Sequence, residues 1–162
     1  MARIVWDSTK CTGCRVCEAV CSLFKEGEFN PEKARGRILR TVQDGLKLQK
    51  VRVYCLQCEV PYCKAVCPAG AIRENDKGAK VVDANKCIGC KLCEMACPVG
   101  AVSVHPDTQV AMKCDLCDGL DEPKCVKYCW AEALQYVPSE RAGVTLARAK
   151  SEKFMELAGK EM

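Results

Sequence analysis

Residues 87–98, with the sequence CIGCKLCEMACP, determine what this chain is built around. Four cysteines stand in the order C-x2-C-x2-C-x3-C, and a proline follows the last of them. Cysteine thiolates at this spacing hold [4Fe–4S] clusters, because three closely spaced sulfurs can converge on one cubane of iron and sulfide. The stretch therefore predicts an iron–sulfur site.

Related cysteine groups occur four times in the 162 residues. Every group opens with C-x2-C and closes with C-x3-C, and Pro68 and Pro98 follow the second and third groups. Sixteen thiolates in this pattern predict four [4Fe–4S] clusters as the cofactors, with iron as the metal. The groups are Cys11, Cys14, Cys17, Cys21; Cys55, Cys58, Cys63, Cys67; Cys87, Cys90, Cys93, Cys97; and Cys114, Cys117, Cys125, Cys129.

Three other interpretations of the cysteines stay open. Disulfides would suit a secreted chain, but residues 1–20 show no secretory signal. Structural zinc also uses C-x2-C pairs, although zinc ribbons place two such pairs far apart. The third interpretation is three clusters and one altered site, which would fall on the last group because seven residues separate Cys117 from Cys125.

The formal net charge of +4 counts every cysteine as neutral. Four thiolates around an oxidised cluster core leave about −2 per site, so four sites bring the loaded protein to about −4. A nucleic-acid partner is therefore not indicated. No apolar run approaches membrane-spanning length and no twin-arginine signal is present, so we expect a cytoplasmic protein without direct membrane insertion.

The chain contains an internal repeat, since CPAGAI at residues 67–72 is echoed by CPVGAV at residues 97–102. Short strand-like runs lie around the cysteine groups. A two-cluster ferredoxin unit consists of a strand, a cysteine motif, a connection, a second motif and a closing strand. Groups two and three complete such a unit by themselves, so groups one and four would form a second unit from the two ends of the chain. The predicted strands are residues 3–7, 51–54, 71–73, 80–83, 101–104 and 133–137.

We therefore predict an α+β fold of two nested bacterial-ferredoxin-like modules, with a β-hairpin insert and a C-terminal helix. The alternative pairs group one with two and group three with four, and it leaves the strands unmatched. The predicted divisions are an outer module of residues 1–30 and 109–138, a basic hairpin insert of residues 31–49, an inner module of residues 50–108 and a helical tail of residues 139–162.

In paired motifs, the fourth cysteine of each motif binds the cluster of the other motif. This exchange predicts four ligand sets and no catalytic residue. His105, the only histidine, is expected in a turn and not as a ligand. The sets are Cys11, Cys14, Cys17 and Cys129 for cluster A; Cys114, Cys117, Cys125 and Cys21 for cluster B; Cys55, Cys58, Cys63 and Cys97 for cluster C; and Cys87, Cys90, Cys93 and Cys67 for cluster D.

The insert is basic, and residues 38–43 and 46–53 predict a β-hairpin around an Asp44-Gly45 turn. It is either a solvated ribbon that covers the clusters or a docking ribbon for an acidic partner. Its basic residues are Lys33, Arg35, Arg37, Arg40, Lys47, Lys50 and Arg52.

The tail predicts a helix that begins at Ser139 and ends near Gly159. Apolar residues recur along it at about helical spacing, among them Val144, Phe154 and Met155. This stripe would pack either on the helix's own domain or on another subunit, including a second copy of this chain.

Through its four cysteine groups, the chain resembles the four-cluster iron–sulfur subunits that accompany molybdenum and tungsten oxidoreductases. Examples are the small subunits of dimethyl sulfoxide reductase, formate dehydrogenase and formate hydrogenlyase complexes. The resemblance covers residues 1–138. Residues 11–31, CTGCRVCEAVCSLFKEGEFNP, are similar to a narrower subset, the small subunits associated with tungsten aldehyde oxidoreductases and with carbon monoxide dehydrogenase.

The resemblance implies a non-catalytic electron-transfer subunit of a cytoplasmic oxidoreductase complex. Its catalytic partner would carry a molybdenum or tungsten cofactor and could act on an aldehyde. A flavin subunit, a ferredoxin or another acceptor would take the electrons. Two alternatives are a free-standing, diffusible polyferredoxin and, from another class, a zinc-structured assembly protein.

Overall fold

The computed structural model describes residues 2–43 and 47–145, together with residues 147 and 151. Short strands and short helices alternate along this part of the chain. The strands are β1 (Ala2–Trp6), β2 (Gly36–Gln43), β3 (Lys47–Tyr54), β4 (Ile72–Glu74), β5 (Lys80–Val82), β6 (Val102–Val104), β7 (Ala111–Lys113) and β8 (Leu134–Pro138). The helices are α1 (Val16–Glu26), α2 (Tyr62–Ala65), α3 (Leu92–Met95) and α4 (Lys124–Lys127), with a 3₁₀ turn at Pro31–Lys33.

The strands form antiparallel pairs, and one pair joins the two ends of the described chain. β1 pairs with β8, so that Ala2 lies opposite Pro138 and Trp6 lies opposite Leu134. The other pairs are β2 with β3, β4 with β5 and β6 with β7, each between neighbours in sequence. The α+β class predicted from the sequence is confirmed.

The helices pack in two pairs, an outer pair formed by the first and last helix and an inner pair formed by the two between them. α1 packs against α4, and α2 packs against α3. Because each helix contains or directly precedes the closing C-x3-C of one cysteine group, groups one and four are neighbours, and so are groups two and three. The helix packing fits nested modules, which remain a prediction, since β3 pairs with β2 and β6 pairs with β7 instead of the two closing an inner module together.

Two small cores surround the cysteines. Ile4, Leu116 and Leu134 form the first core, and the second is built from Ile72 and Val102. The apolar side chains are few, so thiols make up part of each core. The first core includes or contacts Cys17, Cys114, Cys125 and Cys129, and the second includes or contacts Cys63, Cys87, Cys93 and Cys97.

The structure contains one strand that the sequence did not predict. β7 pairs with β6 across a turn that begins at His105, whose N–H donates to the carbonyl of Val110 over 2.8 Å. The His105 ring holds this turn, because its Nδ1 accepts the N–H groups of Asp107 and Thr108, both at 3.2 Å. His105 therefore lies at a turn, as predicted.

The basic insert forms the predicted hairpin, although Asp44 and Gly45 lie outside the described residues. Several of its cations are engaged within the chain. Lys33 pairs with both Glu28 and Asp107 at 2.6 Å, and Arg35 pairs with Glu26 at 2.5 Å. The cations engaged internally support the covering role of the hairpin.

Three further cations on the hairpin differ in whether they are bound within the chain or exposed to solvent. Lys50 donates to the carbonyl of Cys11, whereas Arg37 and Arg40 are exposed. A docking role therefore rests on Arg37 and Arg40.

The start of the tail is helical over residues 139–145. Val144 is 70% exposed, so this apolar side chain does not pack on its own domain. Phe154 and Met155 lie outside the described residues. Within the described chain, none of the helices has the length and apolar character needed to span a membrane.

Gln57 links the inner and outer cysteine groups. Its side chain is completely buried, at 0% exposure. Its Nε2 donates to the carbonyl of Cys114 over 2.7 Å, and its Oε1 accepts the N–H of Lys80 over 2.8 Å. One amide therefore satisfies two buried main-chain groups that belong to different parts of the fold.

We expect Gln57→Ala to destabilise the loaded protein. Each buried main-chain group left without a partner costs about 1–3 kcal/mol. An anaerobic denaturant titration that follows the visible absorption of the clusters should show a lower midpoint. The control is Gln135→Ala, which truncates a half-buried glutamine on β8. Equal midpoints for the two variants would show that the Gln57 bridge is not important.

Candidate iron–sulfur sites

All four C-x2-C loops have the same backbone twist. The residue before the second cysteine has a positive φ in every group, at 72° for Gly13, 51° for Gln57, 69° for Gly89 and 59° for Leu116. Only glycine adopts this conformation without strain. The shared twist therefore includes the last group, whose wide spacing suggested an altered site.

The closing turns are also alike. After the fourth cysteine of groups two, three and four, the residue at the third position has a positive φ, and its N–H donates to the carbonyl of that cysteine. The residues are Gly70, Gly100 and Glu132. In groups two and three the next N–H, from Ala71 and Ala101, donates to the Sγ of the same cysteine over 3.3 Å.

The predicted ligands of cluster A lie around one cavity, which measures about 370 Å³ and opens to solvent. The loop of group one lines one side of this cavity. The other side is the segment that leads into β8, at the far end of the sequence. The four cysteines that line the cavity are Cys11, Cys14, Cys17 and Cys129.

Two further cavities contain the inner cysteine groups. Each receives three cysteines from one group and the fourth cysteine from the other. The first, of about 370 Å³, is lined by Cys55, Cys58, Cys63 and Cys97. The second, of about 380 Å³, is lined by Cys67, Cys87, Cys90 and Cys93.

The predicted ligands of cluster B are close enough to influence one another's ionisation. Burial raises the pKa of the Cys114 thiol, and Cys125 and Cys21 raise it further. Burial likewise raises the pKa of Cys21, with additional contributions from Cys125 and Cys117. The structure thus places Cys21 beside the cysteines of the last group.

Hydrogen-bond donors surround the sulfurs. The N–H of Arg35 donates to Cys21 over 3.3 Å, and the N–H of Ala111 donates to Cys87 over 3.4 Å. Such N–H groups stabilise negative charge on sulfur. At Cys14, hydrogen bonds from the Val16 N–H and other donors outweigh burial and hold the pKa of the thiol below its usual value.

Two side chains at the cluster A cavity carry buried N–H donors that find no acceptor among the described residues. Nε1 of Trp6, and Nε and Nη1 of Arg52, lack hydrogen-bond partners among the described residues, and both side chains line this cavity. A buried donor without an acceptor is costly, and the sulfides of a cluster would be suitable acceptors.

The charge around the cavities also fits an anionic cluster. Lys80 and Lys113 line the cluster C cavity, and both are 4% exposed. Burial raises the pKa of Cys63 in this cavity, and the Lys113 ammonium opposes that rise. Among the described residues that line the three cavities, none is Asp or Glu.

The spacing of the thiols favours a cluster over a single ion. Within residues 2–43 and 47–145, no three His, Cys, Asp or Glu side chains converge closely enough to hold one metal ion. Four thiols instead share the wall of each of three cavities, an arrangement that fits a larger group. The residues present therefore fit [4Fe–4S] clusters.

Two family models match the chain, and both describe a 4Fe-4S dicluster domain. The first matches residues 46–138 and the second matches residues 10–72. The chain belongs to the 4Fe-4S dicluster family. This confirms the predicted resemblance to iron–sulfur electron-transfer subunits of oxidoreductases.

The chain is also similar to curated proteins along most of its length. The chain is 37% identical over 150 residues to the probable anaerobic dimethyl sulfoxide reductase chain YnfG of Escherichia coli, covering 83% of this chain and 72% of the relative. It is 36% identical over 157 residues to the polyferredoxin-like subunit of aliphatic sulfonate oxidoreductase from Pyrococcus furiosus, covering 93% and 87%.

Among solved structures, the chain is similar to one in the active-site complex BamBC of benzoyl coenzyme A reductase as isolated. The two are 28% identical with a TM-score of 0.49, and the match covers 93% of this chain and 88% of that chain.

The cysteines were found from spacing alone, whereas their polar surroundings were not. Binding of 4Fe-4S clusters by this family is confirmed, and the number of clusters and the ligand sets remain predictions. The sequence pattern did not indicate Gln57 or Lys113, and Arg52 was predicted only as one of several basic residues in the hairpin. A cation that alternates with apolar residues in a strand beside cysteines is the signal that could have indicated Arg52.

The structure predicts unequal effects of adding a methyl group to two equivalent loops. A Cβ at Gly89 would lie 2.7 Å from the main-chain oxygen of Gln109, which cannot easily move. A Cβ at Gly13 would meet only the flexible side chains of Arg40 and Lys50, at 3.2 and 3.3 Å. Both substitutions carry about 1–2 kcal/mol of strain at positive φ.

We therefore expect Gly89→Ala to lose iron on anaerobic purification and Gly13→Ala to retain most of it. Iron and acid-labile sulfide analysis measures both variants against the unmodified protein. If Gly89→Ala retained as much iron as Gly13→Ala, the close approach of residues 89 and 109 would not limit assembly of the site.

Proposed function

We propose that this chain is an electron-transfer subunit that passes single electrons through four [4Fe–4S] clusters, to or from a catalytic subunit of an oxidoreductase complex. The observation that carries the proposal is the arrangement of the thiols. The predicted sets of cysteines follow one another through the fold, and in each neighbouring pair of sets a cysteine of one lies within electrostatic range of a cysteine of the other.

The contacts between sets give the order A–B–C–D. Burial raises the pKa of Cys17 to about 11, and Cys125, a predicted ligand of cluster B, adds to this rise. Burial raises the pKa of Cys114, with contributions that include Cys55 of the cluster C set.

The last link joins the two inner sets. Burial raises the pKa of Cys93, with contributions that include Cys63 across the boundary between C and D. Neighbouring ligand sets are therefore within electrostatic range of one another along the whole series.

The two ends of this series reach the surface. Cys14 of set A and Cys90 of set D are exposed, while the other fourteen cysteines are buried or half-buried. An electron relay needs accessible sites for entry and exit, and the exposed cysteines belong to the two terminal sets.

Each cluster, when bound, can take up and release one electron. The chain's own residues hold the clusters, limit water access and compensate charge. Thiols are the groups that the three cavities share, and among the described residues no Asp, Glu or His lines any of them. The electron-transfer role therefore fits the geometry better than catalysis by this chain.

The names of the relatives support a catalytic partner. One relative is a probable chain of dimethyl sulfoxide reductase, and another is a subunit of a sulfonate oxidoreductase. We infer a partner that carries molybdenum or tungsten, with an aldehyde among its candidate substrates. A flavin subunit or a ferredoxin is the inferred acceptor, and a cytoplasmic location remains our prediction.

The tail is a candidate for contact with this partner or with a second copy of the chain. Residues 139–145 follow β8 directly and are helical, and Val144 is exposed. The β1–β8 pair that closes the fold ends at Pro138, so the tail is not required for that closure.

We expect Cys21→Ser to alter cluster B and to spare cluster A, because Cys21 lies beside Cys125 and Cys117. Electron paramagnetic resonance of the anaerobically reduced protein is the measurement, and Cys14→Ser identifies the signal of cluster A. The mirror control is Cys129→Ser, which should alter cluster A and spare cluster B. Loss of the cluster A signal alone in Cys21→Ser would contradict the exchange of fourth ligands.

Isolation of the tagged chain from its native host under anaerobic conditions tests the function itself. We expect about sixteen irons per chain, four per cubane. A larger subunit containing molybdenum or tungsten should co-purify, and electrons from that subunit's substrate should reduce the clusters.

Other outcomes of the isolation have definite meanings. A chain loaded with iron but free of any partner would indicate a diffusible polyferredoxin. Stoichiometric zinc without sulfide would overturn the iron–sulfur assignment. A chain ending at Pro138 should retain its iron and lose part of the assembly, and loss of iron from it would place the tail in the chain's own core.

A further inference from the structure

Arg52 is a buried cation that pairs with no carboxylate among the described residues. It lies on β3 and is 9% exposed. Its Nη2 is 3.6 Å from Sγ of Cys125, and its guanidinium carbon lies 4.4 Å from the centre of the Tyr54 ring. Nε and Nη1 find no hydrogen-bond partner within the described part of the chain.

Other arginines near the clusters are neutralised within the protein. Arg15 pairs with Glu18 at 2.6 Å, and Arg35 pairs with Glu26 at 2.5 Å. A buried cation that lacks an anion is strongly unfavourable. The anionic groups that compensate Arg52 must therefore be the thiolates and whatever they bind.

Arg52 lies between two of the predicted ligand sets. It lines the cavity of cluster A, and it contacts Cys125 of the cluster B set. Burial raises the pKa of Cys17 and of Cys125, and in both cases Arg52 is the largest influence that opposes burial. The cavities of clusters C and D are not lined by Arg52.

We propose that Arg52 is a positioning residue shared by clusters A and B, and that it raises the reduction potentials of both. Its Nε–H and Nη1–H donate to cluster sulfides, and its positive charge favours the more negative, reduced state. The ring of Tyr54 lies against the guanidinium, with 4.4 Å between the guanidinium carbon and the ring centre. The inference rests on the proposed function, since it assumes the ligand sets of clusters A and B.

The proposal has a clear electrostatic basis. Reduction adds one electron to a cluster and takes the charge of its core from 2+ to 1+, so a fixed cation nearby stabilises the product. Hydrogen bonds to sulfur and local charge are established controls of cluster potential. Burial strengthens both effects, because the surroundings screen charge less than water does.

A redox titration with dithionite as the one-electron donor tests the proposal. Arg52→Met removes the charge and the donors, and Arg52→Lys keeps the charge but removes the planar set of donors. The matched control is Arg37→Met, which removes an exposed arginine from the opposite face of the same hairpin.

In Arg52→Met, we expect the ratio of reduced to oxidised cluster at a fixed potential to fall at least tenfold for A and B. That corresponds to about 59 mV for a one-electron couple. Arg52→Lys should show a smaller fall, and clusters C and D should change little. Arg37→Met should leave all four potentials in place.

Unchanged potentials of A and B in a fully iron-loaded Arg52→Met would overturn the proposal, and so would an equal shift in Arg37→Met. If Arg52→Met does not assemble, the unmodified protein is labelled with ¹⁵N in its arginine guanidinium groups. Pulsed electron paramagnetic resonance should then detect coupling between a guanidinium nitrogen and reduced cluster B, and absence of coupling would overturn the idea.

Failure of the proposed function is a different outcome. It would appear in the unmodified protein, as fewer than four clusters, a different grouping in the Cys21→Ser test, or no electron transfer with a catalytic subunit. Failure of the Arg52 proposal would appear in a chain that holds all its clusters, as unchanged potentials, as an equal shift in Arg37→Met, or as missing nitrogen coupling.

Discussion

The interaction on which the rest of the structure depends is the binding of 4Fe–4S clusters by cysteine thiolates, within a chain whose described apolar cores are small. Clusters in those sites carry about −2 each when oxidised, so the interior must accommodate strong negative charge. The fold meets this constraint with main-chain N–H groups directed at sulfur and with buried cations such as Lys113 and Arg52. Since metal-binding free energy becomes folding free energy, the same bonds that hold the clusters also hold the chain.

This constraint explains why the basic hairpin buries an arginine while two of its apolar residues lie at the surface. Arg52 and Ile38 face each other on the buried side, and Arg52 reaches the clusters. Leu39 and Val51 face each other on the opposite side, where each is 55% exposed. In an ordinary sheet the cation would face water and the valine would face the core. Here the interior is anionic, so a cation is stabilised inside, and the apolar residues of the opposite face are left at the surface.

Some of this arrangement could be predicted from the sequence and some could not. The spacing of the cysteines indicates the cofactor directly, because ligand geometry is local along the chain. The strands β4 and β5 and the pairing of β2 with β3 were also predicted, since in each case the two strands are separated by few residues in the sequence. By contrast, β7 is three residues long and depends on the turn around His105. The bridge made by Gln57 joins groups that are far apart in sequence, and no local pattern indicates it.

The sequence by itself determined the iron–sulfur chemistry, the four cysteine groups and the α+β class, because these depend on residues within about ten positions of one another. Only the tertiary structure decided which distant groups meet. The pairing of β1 with β8 brings Cys129 to the cavity of Cys11, and the packing of α1 on α4 brings Cys21 beside Cys125. It also decided which of the hairpin's cations is buried between two sites. Burial and charge compensation depend on contacts across the whole fold, and for that reason spacing along the chain cannot reveal them.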